Sequence, residues 1–140
     1  MNDPGKDRGC KNGQDAVLVV DDDVDLRESV HELLTLRGYR VETAADGAEA
    51  LAWLEKSQMT PCVALIDLMM PGMDGFTLRA RMSADPQLAD IPVVVVTGAG
   101  VLAEQRAVEL NARVLRKPVT MAALLATVRT FCGEPPTPTD

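Results

Sequence analysis

CVALIDLMMPGMDG, residues 62–75, passes from an uninterrupted apolar run through a single aspartate, Asp67, into a Pro71-Gly72 turn and an Asp74-Gly75 pair. An apolar run that short, closed by turn residues, fits a strand covered on both faces, and such strands belong to parallel sheets. The Asp-Gly pair beyond the turn suits a helix start, since a short carboxylate there can accept from free main-chain N–H groups. The stretch is therefore one strand-to-helix unit, with an acidic residue where the strand ends.

Working outward, the same alternation recurs, and five units can be counted. The strands are expected at Val17–Val20, Arg40–Ala44, Val63–Ile66, Val93–Val96 and Arg113–Leu115. The first, third and fourth are continuously apolar and should form the centre of the sheet. Between them lie segments of helical period. Leu26, Val30, Leu33 and Leu34 make one apolar stripe that Gly38 ends. DGAEALAWLEKS (46–57), Gly75 to about Ser83, Val101 to about Leu110, and Thr120 to Phe131 supply the other four helices. Strands alternating with helices define an α/β fold around a parallel sheet.

In such a fold, ligands bind at the carboxyl ends of the strands. The first strand ends in Asp21, Asp22 and Asp23, the third in Asp67, the fourth in Thr97 and the fifth in Lys117-Pro118. Carboxylates that converge on one point repel each other, and a divalent cation with hard oxygen ligands relieves that repulsion. Mg²⁺ fits best, or Mn²⁺ in its place, because it keeps waters and takes one or two carboxylates together with phosphate oxygens. A carboxylate can then act as a nucleophile toward phosphorus, with Lys117 cancelling charge on the other side and the Thr97 hydroxyl donating to a phosphoryl oxygen.

The segments VLVVDDDVDLR (17–27), LIDLMMPGMDG (65–75), VVVVTG (93–98) and RKPV (116–119), in this order and at these intervals, closely resemble the receiver domains of bacterial response regulators. The resemblance covers about Val17 to Phe131. It implies a doubly wound (βα)5, flavodoxin-like fold with strand order 2-1-3-4-5. It also implies Asp67 as phosphoacceptor, Asp22 and Asp67 as direct metal ligands, Asp21 as a ligand through water, and Met69 as a main-chain carbonyl ligand. Thr97 takes the place of the switch hydroxyl and Lys117 that of the phosphate-binding lysine, before a peptide bond often cis in the family. The partners implied are a histidine kinase or phosphotransfer protein as donor and a downstream protein as target. The surface of helix 4, strand 5 and helix 5 would read the phosphorylated state, and a homodimer formed on phosphorylation belongs to the same expectation.

The chain departs from the family's pattern most clearly before Lys117. Val114 stands where an aromatic switch residue is common, so a Thr–aromatic rotation is not available. Met69 and Ala99, two positions beyond Asp67 and Thr97, offer no side-chain hydrogen bond to an attacking water, which predicts slow self-dephosphorylation. LNARVLRK (110–117) also looks shortened beside the small-residue turn usual between helix four and strand five.

Composition narrows the field. The 140 residues suffice for one core, and a net charge of −7 with a pI near 4.7 argues against nucleic acid as a partner. No apolar stretch is long enough to span a bilayer and the N-terminus lacks an apolar signal core, so a cytoplasmic location without membrane contact is expected. Residues 1–15 and the Pro-rich 133–140 read as poorly ordered tails around a domain at 16–132. No DNA-binding, nucleotide-processing or kinase segment is read after Phe131, so signalling by binding in trans is expected unless the sequence is cut from a larger protein. The three cysteines, Cys10, Cys62 and Cys132, are odd in number and lack CxxC spacing, so no disulfide framework is expected and Cys62 reads as a buried apolar residue. Asp23, Asp25 and Asp74 read as helix-start residues, and the single histidine, His31, as an exposed one off the apolar stripe.

Two rival functions share parts of this pattern. Asp21 and Asp23 have the DxD spacing of haloacid-dehalogenase-type phosphotransferases, in which Asp21 would be the nucleophile. A receiver-like binding module that no longer uses phosphate is the other.

Overall fold

The computed structural model describes residues 16–57, 59–98, 101–109 and 112–135, with only the backbone for 101–104. The chain alternates β1 (Ala16–Val20), α1 (Val24–Leu36), β2 (Val41–Ala44), α2 (Gly47–Lys56), β3 (Pro61–Asp67), α3 (Gly75–Ala84), β4 (Val93–Thr97), α4 (Val101–Glu109), β5 (Arg113–Arg116) and α5 (Met121–Cys132). All neighbouring strands are parallel, and their order is β2-β1-β3-β4-β5. The three continuously apolar strands occupy the middle, as their sequences require. Every residue of β1 and β3 is buried.

Period-2 alternation divides the strand side chains between two cores. Leu18, Val20, Ala64, Ile66, Val93 and Val95 face one side, under Ala50 and Leu54 of α2, Phe76, Leu78 and Met82 of α3, and Ala107 of α4. Val17, Val19, Val63, Leu65 and Val94 face the other, under Leu34 of α1 and Leu124, Val128 and Cys132 of α5. The sheet is thus doubly wound, with two helices on one face and three on the other.

Four of the helices, α1, α2, α3 and α5, begin where the sequence places a short oxygen-bearing side chain. Asp23 accepts from the Leu26 N–H, Asp46 from Glu49, Asp74 from Thr77 and Thr120 from Ala123. Each such cap satisfies a donor that the first helical turn leaves free. At the other end of α1 the chain leaves through Gly38 at φ 97°, a conformation glycine adopts without a Cβ clash.

One expectation is overturned. Cys62, at the start of β3, and Cys132, the last residue of α5, form a disulfide across a separation of 70 residues. Neither spacing nor composition signals the bond, because it joins two elements that only the folded sheet brings together. In the chain-entropy account, closing a loop that long stabilises the native state by about 4 kcal/mol. The other proposed boundaries, residues 1–15 and most of 133–140, lie outside the described residues.

The start of α3 presses on the end of β3. A Cβ at Gly75 would lie 2.9 Å from the main-chain oxygen of Asp67 and 3.0 Å from Leu68 Cα, and both of these are backbone atoms with nowhere to move. The Gly75 N–H also donates to the Leu68 carbonyl at 2.9 Å. Gly75→Ala is therefore expected to lower stability by about 1–3 kcal/mol, read as a lower urea midpoint at unchanged slope.

Candidate functional site

Asp21 follows β1 directly, Asp67 is the last residue of β3, Thr97 is the last of β4, and Lys117 follows β5. The sheet thereby gathers at one edge four groups that are scattered over most of the sequence. Carboxylate oxygens of Asp21, Asp22 and Asp67 lie within 4.8 Å of one another. Asp21 and Asp67 are buried, at 5% and 4% exposure, while Asp22 is open to solvent. Lys117 Nζ stands 2.9 Å from Asp67 Oδ1.

Local hydrogen bonds fix this arrangement. Asp21 Oδ1 accepts from the Asp23 N–H at 2.9 Å, and the Asp21 carbonyl accepts from Arg27 Nη1 at 2.6 Å, which straps the acidic turn to the first turns of α1. The Lys117 N–H donates to the Thr97 carbonyl at 2.9 Å, so the hydroxyl-bearing residue and the ammonium-bearing one belong to one pair of strand ends. Thr97 is buried, at 1% exposure. The Lys117–Pro118 peptide is cis, in keeping with the resemblance.

The electrostatics are those of a site short of positive charge. Burial raises the Asp21 pKa; the Asp23 N–H and Lys117 oppose this, and the charges of Asp67 and Asp22 reinforce it. Burial pulls Lys117 down, but its 2.9 Å contact with Asp67 and the charges of Asp67, Asp21 and Asp22 outweigh that and raise it. Lys117 therefore stays an ammonium at neutral pH. The Lys117–Asp67 contact is close but poorly directed: Asp67 Oδ1 is a buried oxygen that, among the described residues, no donor meets with hydrogen-bond geometry. The attraction there is Coulombic, and the oxygen's lone pairs remain available. A buried, underbonded carboxylate oxygen amid like charges suits a hard divalent cation.

The other residues singled out from the sequence fall as follows. Met69 lies on the loop after β3 with its side chain 71% exposed. Val114 pairs with Val95 in register and packs, half-buried, on the core under α2, α3 and α4. Asp23 and Asp74 are N-caps, Asp25 lies in the first turn of α1, and His31 is exposed. Ala99 lies outside the described residues. Sequence reasoning missed two features. One is the Arg27 strap, whose six-residue offset from Asp21 carries no motif. The other is a cleft of about 290 Å³ between α1 and α5, lined by Leu26, Val30, Leu33, Val119, Met121 and Leu124 together with Asp21 and Asp67.

Comparison with known proteins bears on the family and the fold. The family model of the response regulator receiver domain matches residues 17–129. The Synechocystis DNA-binding dual master transcriptional regulator RpaA is 35% identical over 115 residues, which are 81% of this chain and 47% of that protein. The Caulobacter vibrioides response regulator PleD is 38% identical over 117 residues, 82% of this chain and 25% of PleD. This chain thus spans half or less of these relatives. Among solved structures, the Vibrio cholerae chemotaxis protein CheY4 superposes with a TM-score of 0.77 at 33% identity, covering 84% of this chain and 98% of CheY4.

The chain belongs to the response regulator receiver family. It is a phosphoacceptor receiver domain of two-component signalling, a class that takes phosphoryl groups from histidine kinases, binds Mg²⁺ in an acidic pocket and acts on downstream targets.

A raised carboxyl pKa means that folding holds Asp21 ionised at a cost. That contribution favours the fold below the unfolded-state pKa and is lost as pH rises through the folded one. At pH 7 without divalent cation, Asp21→Asn is accordingly expected to raise stability by on the order of 1 kcal/mol, as a higher urea midpoint. The gain should shrink on acidification through the raised pKa, where the wild-type carboxyl is neutral as well.

Proposed function

We propose that Asp67 is the phosphoacceptor of this chain. The single observation carrying this reading is the buried Asp67 Oδ1 held against Lys117 while Asp21 and Asp22 crowd the same point. Asp21, Asp22, Asp67 and the Met69 carbonyl would hold Mg²⁺ or Mn²⁺. Bound there, the cation offsets the carboxylate repulsion and polarises phosphoryl oxygens. A carboxylate oxygen of Asp67 attacks the phosphorus of a phosphohistidine, forming a P–O bond as the P–N bond breaks. The nitrogen keeps the electron pair and takes up a proton. Lys117 balances charge on the transferred group, and the Thr97 hydroxyl donates to one of its oxygens, drawing the end of β4 toward the acyl phosphate.

The donor is a histidine kinase or phosphotransfer protein. The α1/α5 cleft supports this, because its apolar lining reaches Asp67 and suits the apolar side of a donor helix. The output is a protein surface of α4, β5 and α5 read by a downstream protein or by a second copy. With Val114 in the switch place, the signal passes through the β4–α4 loop that Thr97 heads, without a rotating ring. No helix among the described residues is long and apolar enough to cross a membrane. We place this signalling domain, at 16–132, in the cytoplasm.

Acetyl phosphate with Mg²⁺ should add one phosphoryl group to Asp67, seen by intact mass and peptide mapping, and Asp67→Asn should abolish it. Phosphorylation at Asp21 would instead indicate the dehalogenase-type reaction, and none at all a phosphate-independent module. Because Met69 cannot position water, Met69→Asn should shorten the phosphoryl lifetime by about threefold to tenfold, followed as loss of the phosphorylated mass after donor removal. An unchanged lifetime would discard that role.

A further inference from the structure

We propose that the Cys62–Cys132 pair is a site of reversible thiol–disulfide modification, a redox latch that clasps the end of α5 to β3. The site is independent of the phosphoacceptor assignment and sits at the other end of the same strand: β3 carries Cys62 at its second residue and Asp67 at its last.

Its chemistry follows from where each sulfur lies. Both cysteines are buried, Cys62 at 2% and Cys132 at 0% exposure, so a reductant cannot reach the bond in the closed fold. Cys62 is anchored by its neighbours, because Pro61 and Val63 on either side of it pair with Ala16 and Val17 of β1. Cys132 is not anchored in that way: it is the last residue of α5, followed by an exposed Gly133 at φ 73°. Beyond the helix ladder, the contacts that hold that end down among the described residues include the Arg113 guanidinium 5.3 Å over the Phe131 ring and two more. The Tyr39 hydroxyl donates to the Gly133 carbonyl at 2.9 Å, and Arg129 Nε pairs with Glu134 Oε2 at 3.0 Å. The ion pair is solvent-exposed and contributes little. Undoing the last turn of α5, gated by the Tyr39 hydrogen bond, exposes the disulfide without disturbing the sheet.

The partner is a dithiol reductant. One of its thiolates attacks a sulfur of the pair, forming a mixed disulfide and releasing the other cysteine as a thiolate. Its second thiol then attacks the mixed disulfide, leaving the reductant as its own disulfide and both cysteines as thiols. Two electrons and two protons pass in total. Where thiol reductants prevail, a protein disulfide is transient and suited to sensing; where they do not, the latch stays shut. Open, it loosens the helix whose first half lines the cleft beside Asp67.

The test uses the full chain in a Cys10→Ser background, so that one pair remains. Air-oxidised protein, unfolded in the presence of alkylating reagent, should show no free thiol. After dithiothreitol in native buffer it should show two, at Cys62 and Cys132. Amides of residues 121–132 should then exchange hydrogen at least about tenfold faster, with β1 and β3 unchanged. Tyr39→Phe should speed native-state reduction by about fivefold, the effect of one lost hydrogen bond on a local opening. Free thiols in the oxidised protein would overturn the proposal. So would reduction at the global unfolding rate that Tyr39→Phe does not accelerate, or equal exchange of α5 in the two redox states.

Discussion

Mutual repulsion among three carboxylates at the carboxyl edge of the sheet is the constraint around which this molecule is arranged. Two unit charges about 4 Å apart repel by roughly 4 kcal/mol at the effective dielectric of a protein surface, and here three lie within 4.8 Å of one another. No flexible loop would hold such a cluster against that repulsion. Two strands buried along their whole length do, with the main chain of Asp21 tied to Arg27 and that of Lys117 tied to Thr97. The rigidity of β1 and β3 is thus what allows a reactive excess of negative charge to persist, and a cation or a phosphoryl group changes the balance of the whole edge.

Much of this was legible because it depends on local sequence. The apolar runs Val17–Val20, Val63–Ile66 and Val93–Val96 fall within the three central strands, since burial on both faces leaves no room for polar residues. Helix starts were visible in Asp23 and Asp74 because capping is decided within three residues. The candidate site could be assembled from strand ends alone, since in a parallel sheet all of them point the same way. The strand order, in contrast, came only through family resemblance.

What could not be read depends on tertiary proximity. The Cys62–Cys132 bond joins residues that share no local pattern, and counting cysteines pointed away from it. The Arg27 strap needs the turn after β1 to fold back on its own helix. The α1/α5 cleft arises from how two helices separated by most of the chain lie on one face of the sheet. Val114 is intermediate: its identity was plain, but its seat on the core beneath Thr97's face comes from register.

The last strand of the sheet carries a different kind of information. β5 is four residues long, lies at an edge, and begins and ends in exposed arginines, Arg113 and Arg116. Short edge strands bearing charge resist the addition of a foreign strand, since main-chain pairing would have to displace or desolvate those side chains. Association on this side therefore has to use side chains on the flanking helices and not backbone hydrogen bonds. Backbone pairing is nearly blind to sequence, whereas side-chain contacts are not. A receiver closed to sheet extension can thus have its choice of partner altered one surface residue at a time, with the sheet and its acidic edge left untouched.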